Sequence, residues 1–248
     1  MFAAGLTDVG KTRSQNQDAI YFSLGPVGPL PNLFIVADGI GGHNAGEVAS
    51  TQAIATAIGY ISNFQVAEFV TPDDYLDLLV TAVQKANDKV CEMAESNEEM
   101  QGMGTTFTAC VVDGEKLLIA HVGDSRIYAF TPAGINQLTT DHTYVNHMLQ
   151  TGQITAEEAQ NHPQRNMITR SLGSQNLFEV DGLVTDINDI ITVLICSDGL
   201  TDMLDDKAIH GIVSGAGFVE SRTKFLVEEA NLRGGNDNIS VILIDIKR

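Results

Sequence analysis

The stretch LFIVADGIGGH, residues 33–43, holds the pattern from which the organisation of the chain can be worked out. Its uninterrupted apolar run is typical of a buried strand, and the run ends in the carboxylate of Asp38 followed by glycines. Burying a carboxylate in that position costs folding free energy unless a cation or hydrogen-bond donors contact it. Glycine lets the backbone approach a small ligand closely. A second apolar run, residues 190–197, leads to Asp198 and Gly199. Two such strand ends predict one shared, oxygen-rich site.

The composition limits the classes of partner. The 248 residues contain no linker, repeat or low-complexity tract, which predicts a single domain over residues 1–248. With 44% hydrophobic residues, the chain can bury a sizeable core. Its 14 Lys and Arg against 32 Asp and Glu give a net charge of −18, which argues against nucleic acid and anionic membranes as partners. The same balance is compatible with carboxylates gathered around divalent cations.

The cysteines and the hydropathy indicate a cellular compartment. Cys91, Cys110 and Cys196 are few, odd in number and far apart, which favours free thiols in a reducing environment. No signal peptide precedes the first motif, and no apolar stretch is long enough to span a bilayer. We therefore expect a cytoplasmic protein.

The remaining pattern predicts long helices between two groups of short strands. Capping residues predict helix starts at Asn44 and Thr71, and a polar segment over residues 141–172 is predicted to be an inserted helical flap with its own capping pattern at Thr155. Further helices are predicted at about residues 205–213 and 218–232. Strands are predicted twice within residues 1–24, then at 33–38, 105–113, 116–122, 126–130, 135–138, 190–197 and 239–246. This order indicates an α+β fold in which sheets pack together with helices outside.

Five aspartates stand beside glycines or at strand ends instead of in charge runs: Asp18, Asp38, Asp124, Asp198 and Asp237. Singly, each could be an ordinary turn residue or cap, but as a set they indicate a metal site. Oxygen ligands without a cluster of cysteine or histidine favour Mg²⁺ or Mn²⁺ over zinc. Two such ions about 3.5–4 Å apart can share a bridging water and make it a hydroxide near neutral pH. That chemistry hydrolyses a phosphate ester by direct in-line attack.

Arg13, shortly before Asp18, suits the same chemistry because a guanidinium can hold two phosphate oxygens at once. The cysteine-phosphatase loop, the esterase elbow and the common zinc motifs are absent from the sequence. One competing pattern is complete, since GLTDVGKT, residues 5–12, matches the nucleotide P-loop. Its context argues against that interpretation, because little strand can precede it and poor helix formers follow Thr12.

In this order along the chain, the motifs resemble those of the metal-dependent serine/threonine protein phosphatases, the protein phosphatase 2C family, in its bacterial branch. The resemblance is carried by RSQNQD (13–18), ADGIGGH (37–43), GMGTT (102–106), GDSR (123–126), SDG (197–199) and DN (237–238). These segments span nearly the whole chain, which makes the match far more specific than any single motif. The resemblance implies a four-layer αββα fold: a central sandwich of two antiparallel sheets flanked by helices, with a variable flap over about residues 143–171 beside the cleft.

The resemblance also implies roles for the site residues. Asp38 would bridge two Mg²⁺ or Mn²⁺ ions. Asp18 and the carbonyl of Gly39 would complete one metal site, and Asp198 and Asp237 would complete the other.

A third, weaker ion would lie between Asp124 and Asp198, and Arg13 would bind the substrate phosphate. The chain departs from many eukaryotic members at Ile40, where those proteins carry a histidine proposed as the acid for the leaving group, and at Gln17, where they carry an acidic residue. No position implied as a metal ligand is lost, so an inactive relative is not expected.

The sequence thus predicts a phosphatase for phosphoserine and phosphothreonine proteins that acts beside a cognate Ser/Thr kinase. We expect a monomer, because no apolar stripe lacks a role in the core. The alternative is a metal-loaded module that binds phosphoproteins with little turnover.

Overall fold

Two five-stranded antiparallel sheets stand face to face in the computed structural model, which describes residues 1–42, 45–65, 71–160, 162–174 and 179–246. The first sheet has the order β1 (Phe2–Asp8), β12 (Ile239–Asp245), β11 (Thr192–Cys196), β8 (Arg126–Thr131) and β9 (Gly134–Gln137). The second has the order β10 (Asp181–Asp186), β7 (Lys116–Val122), β6 (Phe107–Asp113), β3 (Leu33–Ala37) and β2 (Ala19–Ser23). A short pair joins β4 (Gly39–Ile40) to β5 (Gly104–Thr105).

Helices cover both outer faces of the sandwich. The second sheet is covered by α1 (Ala45–Ile61) and α2 (Pro72–Ser96), and the first by α5 (Asp198–Thr201), α6 (Asp206–Val213) and α7 (Val219–Leu232). The flap contains α3 (Tyr144–Gln150) and α4 (Ala156–Gln160). The predicted α+β sandwich is therefore confirmed. Among the described residues, no helix is long and apolar enough to cross a membrane.

The uninterrupted apolar runs arise because the central strands are buried on both faces. In β3, Leu33, Ile35 and Ala37 pack against the helices α1 and α2, whereas Phe34 and Val36 pack between the sheets. The strand β11 divides in the same way, with alternate residues in the inter-sheet core and in the core under α5–α7. Side chains alternate between the two faces of a strand, so a strand in the middle of a four-layer fold needs apolar residues throughout.

The helix starts follow from local hydrogen bonding. At α2, the Thr71 side chain accepts from the Asp74 N–H while the Asp74 carboxylate accepts from the Thr71 N–H, and Pro72 occupies the first turn. The same reciprocal bonds join Thr155 and Glu158 before α4. Both predicted caps are confirmed. The cap predicted at Asn44 lies outside the described residues.

The sequence did not predict the strand β10 or the helix α5. The strand β10 is an edge strand of sequence DGLVTD, and much of it is exposed. Because much of β10 is exposed, its sequence shows no alternation of apolar and polar residues. The strand is held in the sheet by its pairing with β7. The single-turn helix α5 follows directly from Ser197, and one turn is too short to produce a periodic signal.

Candidate active site

Antiparallel pairing brings the five aspartates to one end of the sandwich. Asp38 follows β3, and Asp18 precedes β2 at the neighbouring register, because Ala19 pairs with Ala37. In the first sheet, Cys196 of β11 pairs both with Val241 of β12 and with Arg126 of β8. The residues just outside those strand ends are Asp198, Asp237 and Asp124.

The carboxylates lie close enough to perturb one another. Burial, followed by the charges of Asp18, Asp198, Asp124 and Asp237, raises the pKa of Asp38 well above its usual value. Burial raises the pKa of Asp18 to about 6 and that of Asp124 to about 7. The pKa of Asp198 is also raised well above normal by burial and by neighbouring carboxylates. The predicted five-carboxylate cluster is therefore present, and without a counter-ion its members repel each other.

Three carboxylate oxygens in this cluster have the chemistry that a hard cation requires of its ligands. The Oδ1 atoms of Asp18, Asp124 and Asp198 are buried and have no hydrogen-bond partner among the described residues. A buried anionic oxygen without a partner is costly, and such oxygens are the ligands that hard divalent cations take. No three acidic, histidine or cysteine side chains in the described ranges form a group that could hold an ion by themselves. Backbone carbonyls and water would have to supply the remaining ligands, as is usual for Mg²⁺.

Asp38 is held through its backbone by the β5–β6 junction. Its N–H donates to Thr106 Oγ1 at 2.9 Å, and its carbonyl accepts from the Thr106 N–H and the Thr105 hydroxyl, both at 2.9 Å. The hydroxyls of Thr106 and Ser125 are 2.8 Å apart, so the turn bearing Asp124 is linked to the same junction. In the sequence these threonines stand out only as part of a motif, because their role depends on contacts between distant segments.

The bend that carries Arg13 is fixed by Asn238. The Asn238 side chain accepts from the Gln17 N–H at 2.8 Å and donates to the carbonyls of Val9 and Gln15, each at 2.9 Å. The Arg13 guanidinium is 51% exposed and donates to Asp237 Oδ2 at 2.8 Å. The predicted phosphate-binding residue therefore lies beside a predicted metal ligand, at the rim of the cluster.

Gly39 sits where β4 passes very close to α1. A Cβ atom added at this position would lie 2.2 Å from the carbonyl oxygen of Gly46, so only glycine fits. The Gly39 N–H donates to the Gln17 carbonyl at 3.1 Å, which keeps this strand end beside the Arg13 bend. Ile40, the site of the departure from eukaryotic relatives, pairs with Gly104 and offers no ionisable group. His43 lies outside the described residues.

The P-loop interpretation is wrong. The strand β1 lies at the edge of its sheet, antiparallel to β12, and residues 9–17 form turns and bends with no helix. Gly10 adopts a φ of 79° and donates to Asp8 Oδ1 at 2.8 Å. A phosphate cradle followed by a helix N-terminus is therefore missing.

A cleft of about 360 Å³ separates the aspartates from the flap. The flap side includes Val145 and Leu149 of α3 together with Arg165, and the body side includes Asp198 and Asp202. Asn166 of the flap donates to Asp202 Oδ2 at 3.3 Å, and the charge of Asp202 contributes to the raised pKa of Asp124 and of Asp198. No motif in the sequence points to Asp202. A larger cavity of about 740 Å³ lies at the opposite end of the first sheet and contains none of the predicted site residues.

Known proteins resemble this chain over nearly its full length. The family model described as Protein phosphatase 2C matches residues 10–237. The serine/threonine phosphatase stp of Listeria welshimeri is 35% identical over 247 residues, covering 99% of this chain and 96% of that protein. The crystal structure of the serine/threonine phosphatase Stp1 from Staphylococcus aureus has a TM-score of 0.91 at 33% identity, covering 99% of this chain and 95% of that one. The catalytic domain of the phosphatase PstP, solved with two manganese ions, has a TM-score of 0.83 at 31% identity over 100% of this chain and 98% of that one.

Proposed function

The chain belongs to the protein phosphatase 2C family and is a phosphoprotein phosphatase, and we propose that it hydrolyses phosphoserine and phosphothreonine monoesters with divalent cations held by its aspartate cluster. The observation that carries this proposal is the set of three buried carboxylate oxygens without partners, at the point where both sheets end. That these relatives are named serine/threonine phosphatases supports the class of substrate.

In this proposal the ligands divide between two core sites. Asp38 would be a ligand of both ions, Asp18 and the Gly39 carbonyl would complete one site, and Asp198 and Asp237 would complete the other. The charges of the other four aspartates all raise the pKa of Asp38, which supports its proposed role as the ligand shared by both sites. A relative that holds two manganese ions supports the number of core ions, and either Mg²⁺ or Mn²⁺ suits an all-oxygen site. Asp124 with Asp198 would hold a third, weaker ion.

The bound ions supply an acidified water and offset the charge of the phosphate. The chain's own residues do the remaining work. The threonines of the β5–β6 junction keep Asp38 in place. Arg13, half exposed at the rim, leaves Asp237 and holds two phosphoryl oxygens in line for direct attack by water, without a covalent intermediate. Ile40 has no proton to donate to the leaving oxygen, so water or another group of the site must supply it.

The partners and the compartment are part of the same proposal. Substrates phosphorylated by a cognate Ser/Thr kinase would meet the enzyme in the cytoplasm, and the three unpaired cysteines support a reducing environment. We propose one domain, residues 1–248, with its flap over about 143–171. The expectation of a monomer assumed no exposed apolar stripe, whereas Phe218 at the N-cap of α7 and Phe225 and Leu232 within it recur every seven residues and are exposed by 70%, 50% and 72%.

The proposal is tested by comparing wild type with Asp38→Ala on a phosphothreonine peptide in Mn²⁺. We expect the variant to remain folded and to lose turnover by a factor of about 10³ or more, because it removes the carboxylate shared by both ions. An active Asp38→Ala protein would overturn the assignment of the site.

A further inference from the structure

His142 is a buried histidine that the proposed chemistry does not use. It lies between β9 and α3, where the flap leaves the body of the protein. Two hydrogen bonds join it to Gly123: its backbone N–H donates to the Gly123 carbonyl at 2.8 Å, and its ring Nδ1 lies 3.0 Å from the Gly123 N–H. The residue after Gly123 is Asp124. His142 therefore holds the turn that presents this aspartate through both its backbone and its ring.

The ring is fixed in one tautomer by its neighbours. Because the Gly123 N–H donates to Nδ1, that nitrogen carries no proton, and Nε2–H donates to Asp181 Oδ2 at 3.0 Å. Asp181 is held in turn by Arg170, whose Nη1 donates to Oδ1 at 2.9 Å. Both ring nitrogens are occupied, so His142 has no free nitrogen with which to exchange a proton with substrate.

The Gly123 turn is confined on its other side by Thr106. Gly123 adopts a φ of 114°, and a Cβ atom at this position would lie 2.6 Å from the side chain of Thr106. Thr106 is the residue that anchors the backbone of Asp38. The turn is therefore held between His142 on one side and the Asp38 anchor on the other, so a small shift at His142 moves Asp124 relative to the rest of the cluster.

His142 also joins the two ends of the flap. Its carbonyl accepts from the Thr169 N–H at 2.8 Å, where the flap returns, and Thr143 and Ile168 form an antiparallel bridge one step further out. Arg170, on the same returning segment, completes the link through Asp181. The base of the flap and the Asp124 turn are thus connected through one imidazole.

We propose that His142 is a positioning residue, which holds the Gly123–Asp124 turn for cation binding and ties that turn to the base of the flap. The inference rests on the proposed role of Asp124 as a ligand of the weaker ion. Residues that orient a ligand from outside the coordination shell typically change metal affinity by about 10–100-fold when they are replaced.

Two substitutions separate the positioning role from simple packing. In His142→Asn the amide oxygen can take the position of Nδ1 and still accept from the Gly123 N–H, but the bond to Asp181 is lost. In His142→Gln the terminal amide takes the position of Nε2, so the bond to Asp181 can be kept while the acceptor for Gly123 is lost. Mn²⁺ binding is measured by calorimetry for wild type and both variants, together with hydrogen exchange of the Gly123 amide and thermal unfolding.

We expect His142→Gln to weaken the weakest Mn²⁺ site by about 10-fold or more and to speed exchange of the Gly123 amide, with the tighter sites unchanged. His142→Asn should stay within about 3-fold of wild type, roughly 0.7 kcal/mol. Equal affinity in all three proteins, or an equal loss in both variants, would overturn the inference. If wild type itself bound no Mn²⁺, the proposed function would fail instead, so the two failures can be told apart.

Discussion

The hydroxyl of Ser197 donates a hydrogen bond of 2.8 Å to Oδ2 of Asp18, across 179 positions of sequence and from one sheet to the other. The same hydroxyl accepts from the Ser240 N–H at 3.0 Å, and its other possible acceptor, the Asn238 carbonyl, lies farther away than Asp18, at 3.4 Å. One oxygen of Asp18 is thus satisfied by the protein, and the other is buried without a partner. Ser197 therefore orients the carboxylate so that its remaining oxygen faces the cluster.

Replacing Ser197 by alanine tests this orientation. The variant leaves both Asp18 and the Ser240 N–H short of a buried partner, which we expect to lower the free energy of unfolding by about 1–3 kcal/mol. The melting temperature should fall by roughly 2–10 °C, as measured by calorimetry. Ser23→Ala is the matched control, because the exposed Ser23 hydroxyl bonds only to the nearby Gly25 carbonyl. Equal melting temperatures for the two variants would contradict the role of Ser197.

Two glycine substitutions test the close approach of β4 and α1. Gly39→Ala forces a Cβ atom to within 2.2 Å of the Gly46 carbonyl, so the backbone at the site must shift. We expect a loss of about 1–3 kcal/mol in stability and at least roughly a 10-fold loss in kcat. Gly59→Ala, in open space on α1, should instead stabilise the protein by about 0.5–1 kcal/mol and leave kcat unchanged. Unchanged activity in Gly39→Ala would contradict the assignment of its carbonyl.

The raised pKa values predict an unusual pH dependence of stability in the metal-free protein. The folded pKa of Asp18 is about 6 and that of Asp124 about 7, against an unfolded value of 3.8. Between the unfolded pKa of 3.8 and these folded values, the two carboxyl groups bind more protons in the folded state than in the unfolded state. The stabilisation by these groups is therefore complete below pH 3.8 and is lost as the pH rises through about 6 and 7.

The buried His121 and His142 act in the opposite direction at lower pH, because burial lowers the pKa of both rings, that of His121 from 6.5 to about 4. Thermal unfolding in EDTA is therefore measured from pH 6.5 to 8, above the titration of unfolded histidine, and the melting temperature should fall by roughly 2 °C or more over that range. Mn²⁺ competes with these protons, so its stabilising effect should grow over the same range. Asp38→Asn removes the most strongly coupled charge and should flatten the profile. A melting temperature that rises with pH in EDTA would contradict the mutual repulsion of the carboxylates.

Removal of Arg13 separates substrate binding from metal binding. Arg13→Ala should raise KM for a phosphothreonine peptide by about 10–100-fold, since two charge-assisted hydrogen bonds to phosphate are lost. Affinity for Mn²⁺ should not fall, because the substitution only releases Asp237 from its ion pair. Arg233→Ala, which removes an exposed arginine paired with Glu229, serves as the control. A large loss of Mn²⁺ affinity with unchanged KM would give Arg13 a structural role instead.

The parts of the fold that could be predicted are those with a local or periodic cause. The strands β3 and β11 show as apolar runs because both of their faces are buried, and α2 shows through its capping box. The aspartate cluster could be predicted because antiparallel strands return to the same end of a sheet. β10 could not, because an exposed edge strand carries no apolar alternation.

The supports of the site depend on contacts between distant segments. Thr106, Ser197 and His142 each bond a residue far away in sequence, and a polar side chain in isolation does not indicate its partner. The ion pair between Arg13 and Asp237 likewise could not be predicted, although both residues were singled out. The sequence therefore indicates which oxygens form the site, and the structure shows what keeps them there.

The most direct test is phosphate release from a phosphothreonine peptide near neutral pH, first in Mn²⁺, then after EDTA, then after Mn²⁺ is restored. The proposed function predicts turnover in Mn²⁺, loss of turnover in EDTA and recovery on restoration. Turnover that persists in EDTA would contradict the role of the aspartate cluster. A folded protein that binds the phosphopeptide in Mn²⁺ without releasing phosphate would contradict the assignment as an enzyme and favour a binding module.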